Sequence, residues 1–455
     1  MSKVKYLLPV LLLTVAGCTM IPKYQQPAST VASQYPGIAG ANPGRAAEIS
    51  WTNFFADERL KQLIALALTN NTDYRVAVLN VEQSRAQYRI TRSASFPGAN
   101  AGAGYQRSGN FETTADQWNA SLGSTAYEVD LFGRVRSQNR QALEKYFATV
   151  EGRRSAQVSL VAGLATDYFT WRQAEEQVAL AAETLQIVEN SYRLNQATFD
   201  AGGSSELDLR TAEGQVQTAK INLLTYQRAR EQAVNQIVLL IGGPLPDNLP
   251  PAGAFAETGL LAEIPPGLPS ELLLQRPDIL QAEHTLKAAN ANIGAARAAF
   301  FPTISMTASV GTSSPEFEKL FGSGTGLWSF SPQVTLPIFT GGQNVATLEA
   351  AQVNKGIEVA NYQKAIQTAF REVSDALVAT RSYRQQVEEQ TLLIAAQQRC
   401  FELANLRYRQ GEDTYLNVLS AQQDLYSAQQ GQLQATFQKL SSQISLYQAL
   451  GGGWN

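Results

Sequence analysis

The stretch RYRQGEDTYLNVLSAQQDL, Arg407 to Leu425, has an earlier counterpart in ATFDAGGSSELDLRTAEGQV, Ala197 to Val216. Each passes from a heptad-patterned segment through a Gly in a polar break to a Leu-rich restart, and Gly202 aligns with Gly411 at an offset of 209 residues. The pattern extends on both sides. Val178, Leu185, Tyr192 and Phe199 fall seven apart with Ala181 and Val188 between them, and Val387, Ile394, Phe401 and Tyr408 repeat the spacing. It resumes after each break, with Val216, Ala219, Leu223 and Tyr226 in one copy and Phe437, Leu440, Ile444 and Tyr447 in the other. A seven-residue apolar repeat makes helices that coil left-handed and bury a seam against neighbouring helices. Each break therefore reads as a turn between two packed helices.

These helices are unusually long. No proline occurs between Pro97 and Pro244 or after Pro337, so 134–199 and 343–408 can each run unbroken for about 100 Å at 1.5 Å per residue. The duplication reaches further back. Asp73 to Pro97 matches Asp278 to Pro302, including Arg92 with Arg297 and Phe96-Pro97 with Phe301-Pro302. At the far end, Ile241-Gly242-Gly243 matches Leu450-Gly451-Gly452. The chain thus divides into a first repeat over 61–243, with a β-hairpin at 98–132 and the turn near 202, a Pro-rich linker over 244–269, and a second repeat over 270–455, with a hairpin at 302–339 and the turn near 411.

The hairpins supply four candidate strands, about 98–108, 117–132, 302–313 and 328–339. In the last, Trp328, Phe330, Val334, Leu336 and Ile338 alternate with Ser329, Ser331, Gln333 and Thr335. Period-two alternation over about 10 residues suits a strand with one face to lipid and one to a lumen, and equally a half-buried soluble strand. Four strands in two hairpins favour the membrane. Four strands cannot close a barrel, and an open edge in lipid leaves backbone groups unpaired, so strands that span require an oligomer. Trp118 and Trp328, expected near strand ends, would mark the interface.

The N-terminus carries Lys3 and Lys5, the apolar run Tyr6 to Val15, and then Val15-Ala16-Gly17-Cys18. This is the layout of a signal peptide over 1–17, and the four residues resemble a lipobox that makes Cys18 the lipidated start of an extension over 18–60. The other cysteine, Cys400, then has no intramolecular partner and reads as a buried, inert thiol. His284 is the single histidine in 455 residues, which excludes any triad or zinc centre that needs two imidazoles. Loss of Lys3 and Lys5 takes the formal charge from −3 to −5, with no basic stripe for nucleic acid. No catalytic constellation, metal site or cofactor motif is expected, and the only attached group is the lipid on Cys18. The amphipathic strands argue against a purely structural coiled-coil tether.

The element order is joined by Asp130-Leu131-Phe132-Gly133, Leu274-Gln275-Arg276-Pro277-Asp278-Ile279, Ala282-Glu283-His284, the run AANANIGAARAAFFP from Ala288 to Pro302, Arg407-Tyr408-Arg409 and Gly451-Gly452-Gly453-Trp454. Together these resemble the TolC-like outer-membrane channels of tripartite efflux pumps, in their OprM-like lipoprotein branch. The resemblance implies an α+β membrane protein, an internally duplicated protomer giving four strands to a trimeric twelve-stranded β-barrel and long coiled α-helices to a periplasmic tunnel. It implies a homotrimer in the outer membrane, a periplasmic membrane-fusion adaptor, an inner-membrane RND-type pump, and passive export of drugs or other small molecules. Protein secretion or metal-ion export remains the alternative.

It further implies a periplasmic gate near the two turns. Tyr408 falls on a tyrosine of the gate links, Arg407 and Arg409 on its flanking arginines, and Leu416 on a hydrophobic constriction. Members of the family often carry Asp at the positions of Asn417 and Ser420, where this chain is neutral, so Asp413, Asp424, Asp200 and Asp208 are left to supply any acidic ring. For Asp208 and Asp413 a helix-cap role is equally open. Gly202, Gly203, Leu207, Gly411 and Thr414 would form the adaptor-facing turns.

Overall fold

The computed structural model describes residues 19–28, 30–32, 34–35, 49–253, 255 and 275–454. The expected signal over 1–17, the anchor residue Cys18 and, within the expected linker, 254 and 256–269 lie outside the described residues. The first half runs α1 (Trp51–Phe54), α2 (Glu58–Asn70), α3 (Thr72–Ser93), β1 (Ala99–Gly109), β2 (Thr114–Ser124), β3 (Tyr127–Val129), α4 (Arg134–Asp200) and α5 (Glu206–Ile241). The second runs α6 (Pro277–Ala298), β4 (Thr303–Ser314), a 3-10 turn (Phe317–Lys319), β5 (Gly326–Thr335), α7 (Gln343–Arg409) and α8 (Tyr415–Ala449). Helices α4 and α7 each span 67 residues without a break, as proline-free sequence allows. No described helix is long and apolar enough to cross a membrane.

The described residues form two compact units, one from those within 19–28, 79–151 and 280–365, the other from those within 30–78, 152–279 and 366–454. The five strands among the described residues all belong to the first. β1 pairs antiparallel with β2, β2 with β4, and β4 with β5, so β1 and β5 are the edges of the ladder. The expected strand over 117–132 is revised: β2 begins at Thr114, stops at Ser124, and β3 resumes at Tyr127. Gly123 faces Ser309 while Tyr127 faces Met306, so one residue is extra on this side, which is the mark of a β-bulge. The Ser124 hydroxyl accepts from the Ala308 N–H at 2.9 Å, replacing the interrupted ladder bond. Trp118 consequently sits inside β2, against Tyr105 at 4.5 Å and Phe317 at 5.0 Å, and not at a strand end. Phe321 to Thr325 forms the connection before β5, and Gly326 opens the strand.

The second unit has its main core where α1 and α2 meet α4, α5 and the end of α8. Phe54 is fully buried and stacks on Tyr447, with ring centroids 3.9 Å apart. Asp57 caps α2 through the Arg59 N–H at 2.8 Å and accepts the Tyr168 hydroxyl at 2.5 Å. Arg276, from the motif before α6, is buried and fully engaged: it donates to Asp278 at 2.6 Å, Glu372 at 2.9 Å and the Ala449 carbonyl at 2.8 Å, closing the end of α8. A buried guanidinium is tolerated only with such partners.

Candidate functional site

Both interhelical turns lie in the second unit. At the first, the Gly203 N–H donates to the Thr198 carbonyl at 2.8 Å and the Gly202 N–H to Phe199 at 2.8 Å; at the second, Glu412 donates to Arg407 at 3.0 Å and Gly411 to Tyr408 at 2.9 Å. These are two copies of the Schellman helix stop, which requires a left-handed residue at its fifth position. Gly202 has φ of 75° and Gly411 of 77°. Open space surrounds the position a Cβ would take at either glycine, so backbone conformation, not crowding, selects glycine here.

The helix that follows is fastened differently in the two copies. At α5, the Ser205 hydroxyl accepts from the Asp208 N–H at 3.2 Å while the Asp208 carboxylate accepts from the Ser205 N–H at 3.3 Å and from its hydroxyl at 2.7 Å. This capping box commits Asp208 to its own helix. At α8, Thr414 makes no side-chain cap bond. Asp413 instead accepts from the Thr414 N–H at 2.8 Å and the Asn417 amide at 2.5 Å, and its other oxygen lies 3.7 Å from Arg407 Nε. The Thr414 N–H, then Asn417, then the Arg407 charge hold the Asp413 carboxyl below its usual range. One carboxylate thus ties the end of α7 to the start of α8.

Tyr415 and Val418 bury themselves against Ala212 of α5, with Tyr192, Phe401 and Tyr408 around them. The Tyr408 ring is 5.6 Å from that of Tyr415. Burial, and then the charge of Asp208, raise the Tyr408 phenol above its ordinary value. Tyr408 therefore belongs to the helix packing, whereas Arg407 and Arg409 on either side are exposed. Leu416, 64% exposed, shares an open face of α8 with Ser420 and Asp424 at four-residue spacing. The opposite face carries the buried Tyr415, Val418, Leu419, Gln422 and Leu425. Asp200 is exposed and accepts from Gln196 at 2.9 Å; Asp424 makes no hydrogen bond or ion pair among the described residues. Leu207 is 75% exposed, and Gly202, Gly203, Gly411 and Thr414 are exposed at the turns.

The packing role of Tyr415 was not foreseen, although its place one residue after Thr414 and three before Val418 marks an inward face. The Asp413 to Asn417 bond follows from i, i+4 spacing at a helix start. One expectation is corrected: Cys400 is exposed, not buried. The seam of α7 runs through Val387, Ile394, Phe401 and Tyr408, and Cys400 lies one step off it.

No group of three or more His, Cys, Asp or Glu able to hold a metal ion occurs among the described residues. The site is a pair of helical turns, with charged and apolar side chains displayed around them, attached to a chain that also builds an amphipathic sheet. That combination defines a channel-forming protein. A family model described as outer membrane efflux protein matches residues 63–243 and 268–452. The chain is 45% identical to a toluene efflux pump outer membrane protein, TtgC, of Pseudomonas putida, covering 100% of this chain and 96% of that one. It is 40% identical to outer membrane protein OprJ of Pseudomonas aeruginosa, over 97% and 94% of the two chains. The open state of the Neisseria gonorrhoeae MtrE outer membrane channel superimposes with a TM-score of 0.91 at 41% identity, over 96% of this chain and 99% of that one. The chain belongs to the outer membrane efflux protein family: it is an outer-membrane channel of a tripartite efflux system, with the α+β protomer of the TolC-like trimeric channels.

Proposed function

We propose that this chain is a passive duct, gated at its periplasmic turns, that exports drugs, solvents and other small organic molecules. The observation that carries the gate is the Asp413 carboxylate, which clips Arg407 at the end of α7 to Asn417 on α8. In a trimer each such clip occurs three times around one opening, so a modest preference of each for one arrangement sums over the ring. A partner that binds the other arrangement better then shifts the population without supplying chemistry. That partner is a periplasmic membrane-fusion adaptor engaging the turns at Gly202, Gly203, Leu207, Gly411 and Thr414, and the energy comes from an inner-membrane RND-type pump. The exposed row Leu416, Ser420 and Asp424 is assigned to the constriction, with Arg409 beside it. With Asp208 committed to its cap and Asp200 to Gln196, Asp424 is the acidic ring residue.

The two repeats over 61–243 and 270–455 are read as the duplicated halves of the protomer, and Cys18 as its lipid anchor. The cargo is inferred from relatives named for toluene, solvent and antibiotic efflux. Single-channel recording of the purified trimer in a planar bilayer tests the gate: the wild type should open rarely, and Arg407→Gln or Asp413→Asn should raise the open probability. Indistinguishable records for all three would remove these residues from the gate.

A further inference from the structure

In the first unit the extended segment 19–28 forms a strap along α6. Ile21 fits a notch at Gly294, where an added Cβ would meet Ile21 Cγ1 and Ser137 Oγ at 2.6 Å each. Farther along, the Asn290 amide donates to the Pro22 carbonyl at 2.8 Å, the Tyr24 hydroxyl to Glu283 at 3.1 Å, and Gln26 to the Tyr362 hydroxyl at 2.8 Å. Between strap and helices lies a cavity of about 370 Å³, lined by Thr19, Ile21 and Tyr24 of the strap, Arg140 of α4, and Lys287 and Asn290 of α6.

The polar groups of this cavity are only partly used. Arg140 gives one bond to Glu144 at 2.5 Å and Lys287 one to Glu283 at 2.9 Å, which leaves further N–H donors on each cation. Asn290 is 2% exposed; its amide nitrogen donates to the Pro22 carbonyl, and its buried Oδ1 meets no protein donor. A buried acceptor without a donor is unfavourable, and a ligand that supplies one removes that penalty. Two cations beside two carboxylates leave the cluster near neutral, with His284 donating to Glu144 at 2.6 Å from the other side. A bare anion gains little in such a field. A dipolar head, with an anionic and a donor end, matches both sides of it.

The position narrows the choice. Asn290 is eight residues before the end of α6, about 12 Å along the axis, and β4 starts at Thr303 shortly beyond. Thr19 directly follows Cys18, whose acylation, on the reading above, brings the bilayer surface to this point. We propose that this cavity binds the headgroup of a zwitterionic aminophospholipid, with its phosphate on Arg140 and Lys287 and its ammonium on Asn290 Oδ1. The bound lipid would fasten the strap to α6 at the membrane surface, independently of the covalent anchor.

The delipidated trimer in detergent can be titrated with phosphatidylethanolamine, phosphatidylglycerol, phosphatidylcholine or inorganic phosphate, and the bound molecules counted by native mass spectrometry, which also verifies that each variant is a trimer. Phosphatidylethanolamine should bind up to three per trimer, at least about fivefold tighter than the other two lipids, with no phosphate bound at matching concentrations. Lys287→Met and Arg140→Gln should each weaken it by about five- to tenfold, while Arg85→Gln, on the exposed surface of α3, should not. Cys18→Ala should bind as the wild type does, which separates this inference from the lipidation reading. Equal binding of the three lipids, phosphate binding at the same strength, insensitivity to both cavity variants, or loss of binding in Cys18→Ala would each overturn it.

Discussion

Replacing Gly411 by Ala isolates the conformational part of the second turn. Beyond its own chain neighbours, no atom lies within 4 Å of the new methyl group, so the substitution acts through the backbone alone. A left-handed alanine costs about 1 to 2 kcal/mol. The strain is relieved by unwinding the Schellman stop, and the carbonyls released are those of Arg407 and Tyr408; the unwinding carries Arg407 away from Asp413. With three copies per trimer, a concerted change that relieved all of them would gain about 3 kcal/mol at the lower bound, an open-to-closed ratio roughly a hundredfold higher. Gly202→Ala imposes the same strain at the same motif, but no ion pair bridges that turn and the capping box holds α5. Its effect on open probability should be several times smaller. Gly411→Asn should fall between wild type and Gly411→Ala, because Asn enters the left-handed region more readily. Planar-bilayer recordings of the three variants read these ratios directly. Equal effects of Gly202→Ala and Gly411→Ala would refute the assignment of the second turn as the latch, and a silent Gly411→Ala would refute the coupling of turn to gate.

Ser420→Asp places a carboxylate one helical turn from Asp424 on the exposed face of α8, and reversal-potential measurements should show cation selectivity rising by about fivefold in dilute salt and less at 1 M; unchanged selectivity would mean that this face does not line the lumen. Because the Asp413 carboxyl is held below its ordinary value, its clip is complete above the usual carboxylate range and is lost only as pH falls through the lowered value. Open probability should therefore be flat from about pH 7 down to about pH 5 and rise only at stronger acidity, with Asp413→Asn already raised and lacking that limb; a transition centred near neutrality would contradict the assignment. Maleimide should label Cys400 in the folded protein at one site per protomer, since it is exposed and an acylated Cys18 has no thiol; two labels would show Cys18 unmodified, and none would contradict the exposure. Phe54→Ala removes a fully buried ring stacked on Tyr447 and should lower stability by about 3 to 5 kcal/mol, read from thermal unfolding of the purified trimer; a loss below about 1 kcal/mol would show that this contact is not part of the supporting core.

The long helices were legible because one signal, a seven-residue seam without proline, persists for many turns; the reading 343–408 stops one residue short of the helix end at Arg409. The two glycines were legible because only a left-handed residue ends a helix in this way. The difference between the turns was not. Ser205 to Asp208 and Asp413 to Asn417 both place an acid near a helix start, and sequence alone does not say which carboxylate folds back on its own helix and which reaches across the turn. The β-bulge after Ser124 was hidden because Thr125 to Val129 continues to look like strand, and only the register against β4 exposes the extra residue. Cys400 was misread from residue type, although its offset from the Phe401 seam already placed it outward. The strap has no periodicity at all, and its contacts depend on a missing side chain at Gly294.

The unequal fastening of the two turns has a mechanical consequence. Around a threefold opening the six turns would alternate between one whose carboxylate stays within its own helix and one held by a clip across the bend. Compliance would then vary with threefold periodicity around the rim. Such a rim dilates first at three points, like a drawstring released at every second eyelet, and a partner would need to grip only those three.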